Sequence, residues 1–106
     1  MKKIYLSGKM TGLQDFGKEH FDNAEKTLKE LNPDCIIFNP IKISKQIANR
    51  LNKEIEDIEY HTFLKEDLKI LLECDEVLML ENWQDSNGAI IEHNLAKDVG
   101  IEINYL

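Results

Sequence analysis

Long apolar stretches are absent from this sequence, and residue types that mark particular protein classes are scarce. No run approaches the roughly 18 apolar residues that a membrane span requires, and the opening MKKIYLSG does not have the pattern of a secretion signal. The 2 cysteines, Cys35 and Cys74, lie far apart beside apolar residues, and His20, His61 and His93 share no ligand spacing with them. Reduced core thiols fit this arrangement better than disulfides or a metal site. We therefore expect a cytoplasmic protein with no metal, no cofactor and no membrane contact.

Basic residues are also in the minority. Lys and Arg number 13 against 20 Asp and Glu, which gives a net charge of −7. Such a chain repels a phosphate backbone, so we expect no nucleic-acid partner. A single small anion is still compatible with this charge, because backbone donors at a helix start hold one phosphate regardless of the global balance. The length of 106 residues predicts a single domain over residues 1–106.

Strands and helices are predicted to alternate along the chain. Short apolar runs predict strands at 4–6, 35–38, 75–80 and 101–105. Helical spacing predicts helices over 18–31, near 44–52, near 57–72 and over 88–98, with Gly100 as the left-handed stop of the last. This pattern predicts an α/β fold: a small doubly wound, flavodoxin-like or Rossmann-like parallel sheet. We expect about four to five strands, in an order of about 2-1-3-4, with helices on both faces.

The carboxyl ends of the strands are where such a sheet binds its ligand. Two loops should meet there, one after the first strand (residues 7–12, SGKMTG) and one after the third (residues 81–88). The first loop offers a hydroxyl, glycines for close backbone approach and one ammonium, which suit a phosphate or a ribose hydroxyl. The residues concerned are Ser7, Gly8, Lys9 and Met10. A plain strand-to-helix turn fits the pattern equally well, and a Walker loop is excluded because Lys3 replaces its first glycine.

Two acidic residues on the predicted helices are candidates for chemistry. Glu92 falls in the second turn of the last helix between apolar neighbours, where the helix dipole favours a carboxylate. The alternative is a glutamate that only satisfies that dipole. Asp67 falls beside the core-facing stripe of the preceding helix, and a solvated charge is its alternative.

Two further side chains are candidates for contacts with a planar ligand. Trp83 follows the third strand, where it could stack on a base or cap the core. Asn39 ends the second strand, where it could bond a base edge or form an ordinary Asn-Pro turn.

Taken together, these residues resemble the nucleoside 2-deoxyribosyltransferase-like superfamily over nearly the whole chain. The matching pieces are YLSGKMTG, EDLKILLECDEVLML and SNGAIIEHNLAKDVG. The likeness includes a small, mostly phage and bacterial branch with SGxMTG near its start. In the superfamily the glutamate of the last motif is the nucleophile and an aspartate is the acid/base. The resemblance assigns these roles to Glu92 and Asp67.

The resemblance also indicates the substrate. A serine six residues before the nucleophile, here Ser86, is similar to the 2′-deoxynucleoside 5′-phosphate N-hydrolases. It implies phosphate contacts from Ser86, Ser7 and the backbone of residues 8–10, with Gly88 as the motif glycine beside the substrate. The expected activity is therefore cleavage or transfer at the N-glycosidic bond of a small-molecule nucleoside or nucleotide, by a homo-oligomer.

One departure from the superfamily pattern supports a second interpretation. Ile90 replaces the second glycine of the last motif and is expected to narrow the pocket beside the sugar. The alternative function is therefore a catalytically inactive domain that binds a nucleotide or metabolite.

Overall fold

The computed structural model describes residues 1–10 and 12–106, and these residues form four strands and four α-helices. Thr11, in the predicted loop SGKMTG, lies outside the described residues. The strands are β1 (Lys3–Ser7), β2 (Ile36–Phe38), β3 (Glu76–Met79) and β4 (Glu102–Tyr105). The helices are α1 (Lys18–Leu31), α2 (Pro40–Leu51), α3 (Tyr60–Leu72) and α4 (Asn87–Val99). Short 3₁₀ turns are Gln14–Gly17, Ile55–Asp57 and Trp83–Asp85.

The sheet confirms the predicted α/β class. In the described part of the chain it has four strands, all parallel, in the order β2-β1-β3-β4. Tyr5 of β1 is in register with Phe38 of β2 and with Val77 of β3. The chain leaves β1 in one direction to reach β2 and crosses back to reach β3. The carboxyl ends of β1 and β3 therefore flank the point where ligands bind in such sheets.

Side-chain alternation along the strands divides the core into two clusters, one on each face of the sheet. Ile4, Leu6 and Leu78 pack on one face with residues of α1. Tyr5 and Val77 point to the other face. The helix residues of this second cluster come from α2, α3 and α4, and they include Ile43, Ile47, Leu71, Ala89 and Ala96. The expected reduced thiols are confirmed, since both cysteines are free and buried.

Two helices, α2 and α3, begin at residues other than the predicted ones. Helix α2 begins at Pro40 and not near Ser44, because Asn39 caps it and proline at the first position has a preset helical φ. Helix α3 begins at Tyr60, because residues 55–57 form a separate 3₁₀ turn. Gly100 ends α4 at a φ of 81°, as predicted. Among the described residues, no helix has the length and apolar character needed to cross a bilayer.

Asn39 joins three elements and gives a testable prediction about stability. Its Oδ1 accepts from Ile41 N (3.0 Å), and its Nδ2 donates to Asp22 Oδ1 (3.0 Å) and Glu25 Oε1 (3.1 Å). Because the side chain is only 2% exposed, Asn39→Ala should lower the free energy of unfolding by about 2 to 3 kcal/mol, through the lost cap and unpaired partners. Urea unfolding measures this. Asn23→Ala, the same change at an exposed position of α1, should change it by less than about 0.5 kcal/mol.

Candidate active site

A cavity of about 370 Å³ opens where the carboxyl end of β1 meets the starts of α2 and α4. Its volume is within the range of small-molecule sites. Tyr5 and Gly8 contribute from β1 and the residue after it, while Asp67 contributes from α3 and Glu92 from α4. Two acidic residues that are 25 positions apart in the sequence thus line one cavity, in the region that the strand order predicts.

Glu92 is buried and held by two hydroxyl groups. Its side chain is 6% exposed, and it lies on the same side of α4 as the buried residues Ala89 and Ala96. The Tyr5 hydroxyl donates to Oε2 at 2.6 Å, and the Ser7 hydroxyl donates to Oε1 at 2.7 Å. Because Tyr5 and Ser7 are two positions apart on β1, both project from the same face of the strand. Each carboxyl oxygen of Glu92 therefore has one fixed donor from the strand.

Burial and these two donors have opposite effects on the pKa of Glu92. Burial raises its pKa to about 7, although the hydrogen bonds from Tyr5 and Ser7 lower it. Burial also raises the pKa of Tyr5 well above its ordinary value, so its phenol remains protonated and keeps donating. Glu92 therefore titrates near neutral pH, in a position where its carboxylate is stabilised by directed hydrogen bonds.

Asp67 is the second carboxyl group, and its environment holds a proton more firmly. Burial, followed by the charges of Glu92 and Glu66, raises the pKa of Asp67 to about 8. Its Oδ1 is buried and has no hydrogen-bond partner among the described residues. A carboxyl oxygen without a donor favours the protonated form, and that form can itself donate. Asp67 is thus equipped to give a proton to a group inside the cavity.

The ionisation of Asp67 is coupled to that of Glu92. The charge of Glu92 raises the pKa of Asp67, so full ionisation of both is unfavourable near pH 7. Asp67 favours the protonated form more than Glu92 does, because its Oδ1 has no donor among the described residues whereas Glu92 accepts hydrogen bonds from Tyr5 and Ser7. Reactions that need both a carboxylate and a carboxylic acid in one site use two groups that differ in this way.

The first turn of α4 forms one edge of the cavity. Ser86 caps the helix by accepting from Ala89 N at 3.2 Å, which leaves its hydroxyl proton for another acceptor. A Cβ added at Gly88 would lie 2.9 Å from Tyr60 Oη and 3.9 Å from Ser86 Oγ. Glycine at this position therefore makes room for the phenol of Tyr60 next to the helix start.

The structure brings most of the predicted site residues together, but not all. Gly8, Met10, Asp67, Ser86, Gly88 and Glu92 line the cavity. Ser7 lies behind Glu92, to which it donates, and does not belong to the lining. Lys9 is partly buried and is also outside the lining.

Two predicted ligand contacts have other partners. Trp83 stacks on His93, with 4.3 Å between ring centroids and 19° between planes, so it does not face the cavity. The amide of Asn39 is occupied by the cap of α2 and by α1. Ile90 is not a lining residue either, so the expected narrowing beside the sugar does not come from its side chain.

Four lining residues that help to shape the site were not predicted from the sequence: Tyr5, Asp15, Phe16 and Tyr60. A signal for Tyr5 was present, because its spacing from Ser7 puts both on one strand face. Tyr60 is seven positions before Asp67, which places both on one side of α3. The turn that carries Asp15 and Phe16 had no comparable periodicity. In the described residues, no cluster of three or more His, Cys, Asp or Glu side chains is placed to hold a metal ion.

Removal of a hydroxyl donor is expected to change the pKa of Glu92. Removing the donor at 2.6 Å in Tyr5→Phe should raise the pKa of Glu92 by about one pH unit, because a hydrogen bond to the charged form is lost. Carbon-13 NMR of the carboxyl carbon follows this titration. Tyr105→Phe is the matched control, since the Tyr105 hydroxyl bonds His93 and not Glu92. An unchanged titration in Tyr5→Phe would contradict the hydrogen-bonding scheme.

The fold and the site together define a small doubly wound α/β domain with a buried glutamate and a partly buried aspartate at the ligand-binding edge of its sheet. Residues 2–105 match a family described as a domain of unknown function, DUF4406, and the chain belongs to this family. The match extends from the residue before β1 to the last residue of β4. No curated protein matches the chain.

Proposed function

We propose that the protein cleaves the N-glycosidic bond of a nucleoside or nucleoside 5′-monophosphate, with Glu92 as the nucleophile and Asp67 as the acid/base. The observation that carries this proposal is that both carboxyl groups line one small-molecule-sized cavity and titrate near neutral pH. Cleavage of this bond builds positive charge at the anomeric carbon and negative charge on the base. A carboxylate stabilises the first charge, and an acid neutralises the second.

In the proposed first step, a Glu92 carboxylate oxygen bonds to the anomeric carbon. The bond to the base nitrogen breaks, its electron pair moves to the base, and Asp67 supplies a proton to the base. In the second step, water attacks the anomeric carbon, Asp67 accepts the proton of the water, and Glu92 departs as a carboxylate. A second base in place of water completes a transfer instead of a hydrolysis.

The buried environment supports these roles. Tyr5 and Ser7 fix the Glu92 carboxyl group, so its attacking oxygen is oriented before the substrate arrives. Asp67 carries its proton at neutral pH because of burial and the neighbouring charge, and the same group becomes a base once that proton is transferred.

The superfamily resemblance supports the substrate class. We propose membership of the nucleoside 2-deoxyribosyltransferase-like superfamily, through the motifs that contain Ser7, Asp67 and Glu92. Ser86, at the start of α4, is then the proposed contact for a 5′-phosphate when one is present, with a free hydroxyl proton and the favourable helix end to support it. By the same resemblance we propose a homo-oligomer, whose size light scattering would measure. We also propose a cytoplasmic location.

The test is incubation with a panel of ribo- and deoxyribonucleosides and their 5′-monophosphates, with chromatography of the free base. Release of base from at least one panel member is the expected result. Adding a second base distinguishes transfer, which gives a new nucleoside, from hydrolysis, which does not. Saturable binding by calorimetry without base release would instead favour the non-catalytic binding domain, and neither binding nor release would contradict both functions.

A further inference from the structure

The mouth of the cavity carries two exposed aromatic rings. Phe16 is 46% exposed and Tyr60 is 51% exposed, and both line the cavity that contains Asp67 and Glu92. Phe16 belongs to the turn Gln14–Gly17 and has a φ of 56°, which is unusual for a residue with a side chain. Aromatic rings at the opening of a carboxyl-lined cavity suit a flat ligand that enters with its ring between apolar surfaces.

The charged groups of this cavity are mostly acidic. Among the described lining residues, Asp15, Glu56, Asp67 and Glu92 carry carboxyl groups, and Lys45 alone carries an ammonium group. Asp15 and Glu56 are exposed at the mouth, and Asp15 directly precedes Phe16. When Asp67 is protonated, the other three carboxyl groups of the lining still outnumber the ammonium group of Lys45. Lys9, the cation expected to bind phosphate, is not among the lining residues.

We infer that the cavity selects nucleosides whose base carries a positive charge, such as pyridinium nucleosides, over uncharged nucleosides and over 5′-monophosphates. This inference rests on the proposed function and specifies its substrate class. Aromatic faces and carboxylates both attract a flat cation, whereas the acidic mouth repels a phosphate.

A nucleoside with a cationic base can lose that base without help from a proton donor in the first step. Glu92 bonds to the anomeric carbon, and the electron pair of the broken bond neutralises the ring nitrogen, so the base departs uncharged. Water then attacks the anomeric carbon, the ester bond to Glu92 breaks and Glu92 departs as a carboxylate, Asp67 accepts one water proton, and the sugar is released with a hydroxyl group. Asp67 must be ionised to accept that proton, so cleavage of a cationic substrate should increase as the pH rises through the pKa of Asp67, about 8, and level off above it.

A set of three ligands of one scaffold tests the inference. A 3-carbamoylpyridinium riboside and its 1,4-dihydro form have nearly the same outline and differ by one charge, and the 5′-monophosphate of the pyridinium form adds the anion. Calorimetry with Glu92→Gln protein measures binding without turnover. At about 0.01 M ionic strength the pyridinium riboside should bind about tenfold more tightly than the other two. At about 1 M the preference should fall to about threefold, because the Debye length decreases to about 3 Å.

Variants at the mouth identify the source of the preference. Asp15→Asn and Glu56→Gln, each added to Glu92→Gln, should lower the affinity ratio of pyridinium to dihydro form by about twofold to threefold. Asparagine tolerates the left-handed backbone of position 15, whose φ is 50°. Glu54→Gln is the matched control, since Glu54 is exposed two positions from Glu56 and does not line this cavity. It should leave the ratio unchanged.

The outcomes separate this inference from the proposed function. Equal affinity for the pyridinium and dihydro forms, or tightest binding of the monophosphate, overturns the charge preference. Base release by the unmodified protein from uncharged nucleosides would then leave the proposed function standing. No release from any nucleoside, charged or uncharged, would overturn the proposed function itself.

Discussion

Replacing Glu92 with glutamine is expected to reduce base release by at least about a thousandfold while the protein remains folded. Glutamine has the same outline, and its amide can pair with both hydroxyl groups, because Tyr5 and Ser7 can each donate or accept. It cannot form a stable glycosyl ester, since its amide oxygen is a poor nucleophile and a poor leaving group. The measurement is the initial rate of base release, with circular dichroism to confirm the fold.

Glu76→Gln provides the matched control for this loss. Glu76 is also a buried glutamate, at 7% exposure, but it lies at the start of β3 and pairs with Lys2. Its replacement removes a carboxylate of similar burial at the other end of the strands, and release should remain within about twofold of the unmodified rate. Undiminished release in Glu92→Gln would remove Glu92 from the role of nucleophile.

The architecture could be predicted from sequence because each element carried its own signal. Apolar runs identified the strands, and helical spacing identified α1 from Lys18 to Leu31, the bounds observed. The expected strand order of about 2-1-3-4, which is common in doubly wound sheets, was confirmed. The start of α2 was wrong by four residues, because Asn39-Pro40 is both a common turn and a good helix start, and only its contacts with α1 distinguish the two.

The candidate site could be predicted only where the signal lay on a periodic element. Glu92 and Asp67 were identified because they interrupt or adjoin apolar helix faces, and the cavity contains both. Trp83 and Lys9 were selected by residue type from loops, and the path of a loop does not follow from periodicity. The same reason explains why Asp15 and Phe16, in an irregular turn, were not identified at all.

The free energy of unfolding is expected to fall as the pH rises from about 5 to about 8, and the carboxyl pair is the reason. Both pKa values are raised in the folded state, Glu92 to about 7 from 4.5 and Asp67 to about 8 from 3.8. Between the ordinary and the raised values the folded protein binds more protons than the unfolded chain, so raising the pH destabilises it. For Glu92 alone the loss is about 3 kcal/mol, at about 1.4 kcal/mol per pH unit.

Asp22 and Glu102 contribute to stability with the opposite sign. Their pKa values are lowered, chiefly by hydrogen bonds from Lys18 and Asn104 respectively, so their stabilisation is present above their ordinary pKa values and is lost in more acidic solution. The expected optimum of stability therefore lies near pH 5. Urea unfolding at pH 4, 5, 6.5 and 8 would locate it.

The variants Glu92→Gln and Asp67→Asn test whether the pair causes the loss of stability at high pH. Each removes one group with a raised pKa, so each should be more stable than the unmodified protein at pH 8, by about 2 kcal/mol or more. The gain should largely disappear at pH 5, where the native carboxyl groups are already protonated. Glu54→Gln, which changes an exposed carboxylate, should preserve the slope. If the double variant Glu92→Gln/Asp67→Asn is no more stable at pH 8 than the unmodified protein, the pKa values of the two carboxyl groups are not raised as described. The assignment of opposite protonation states to Glu92 and Asp67 would then be wrong.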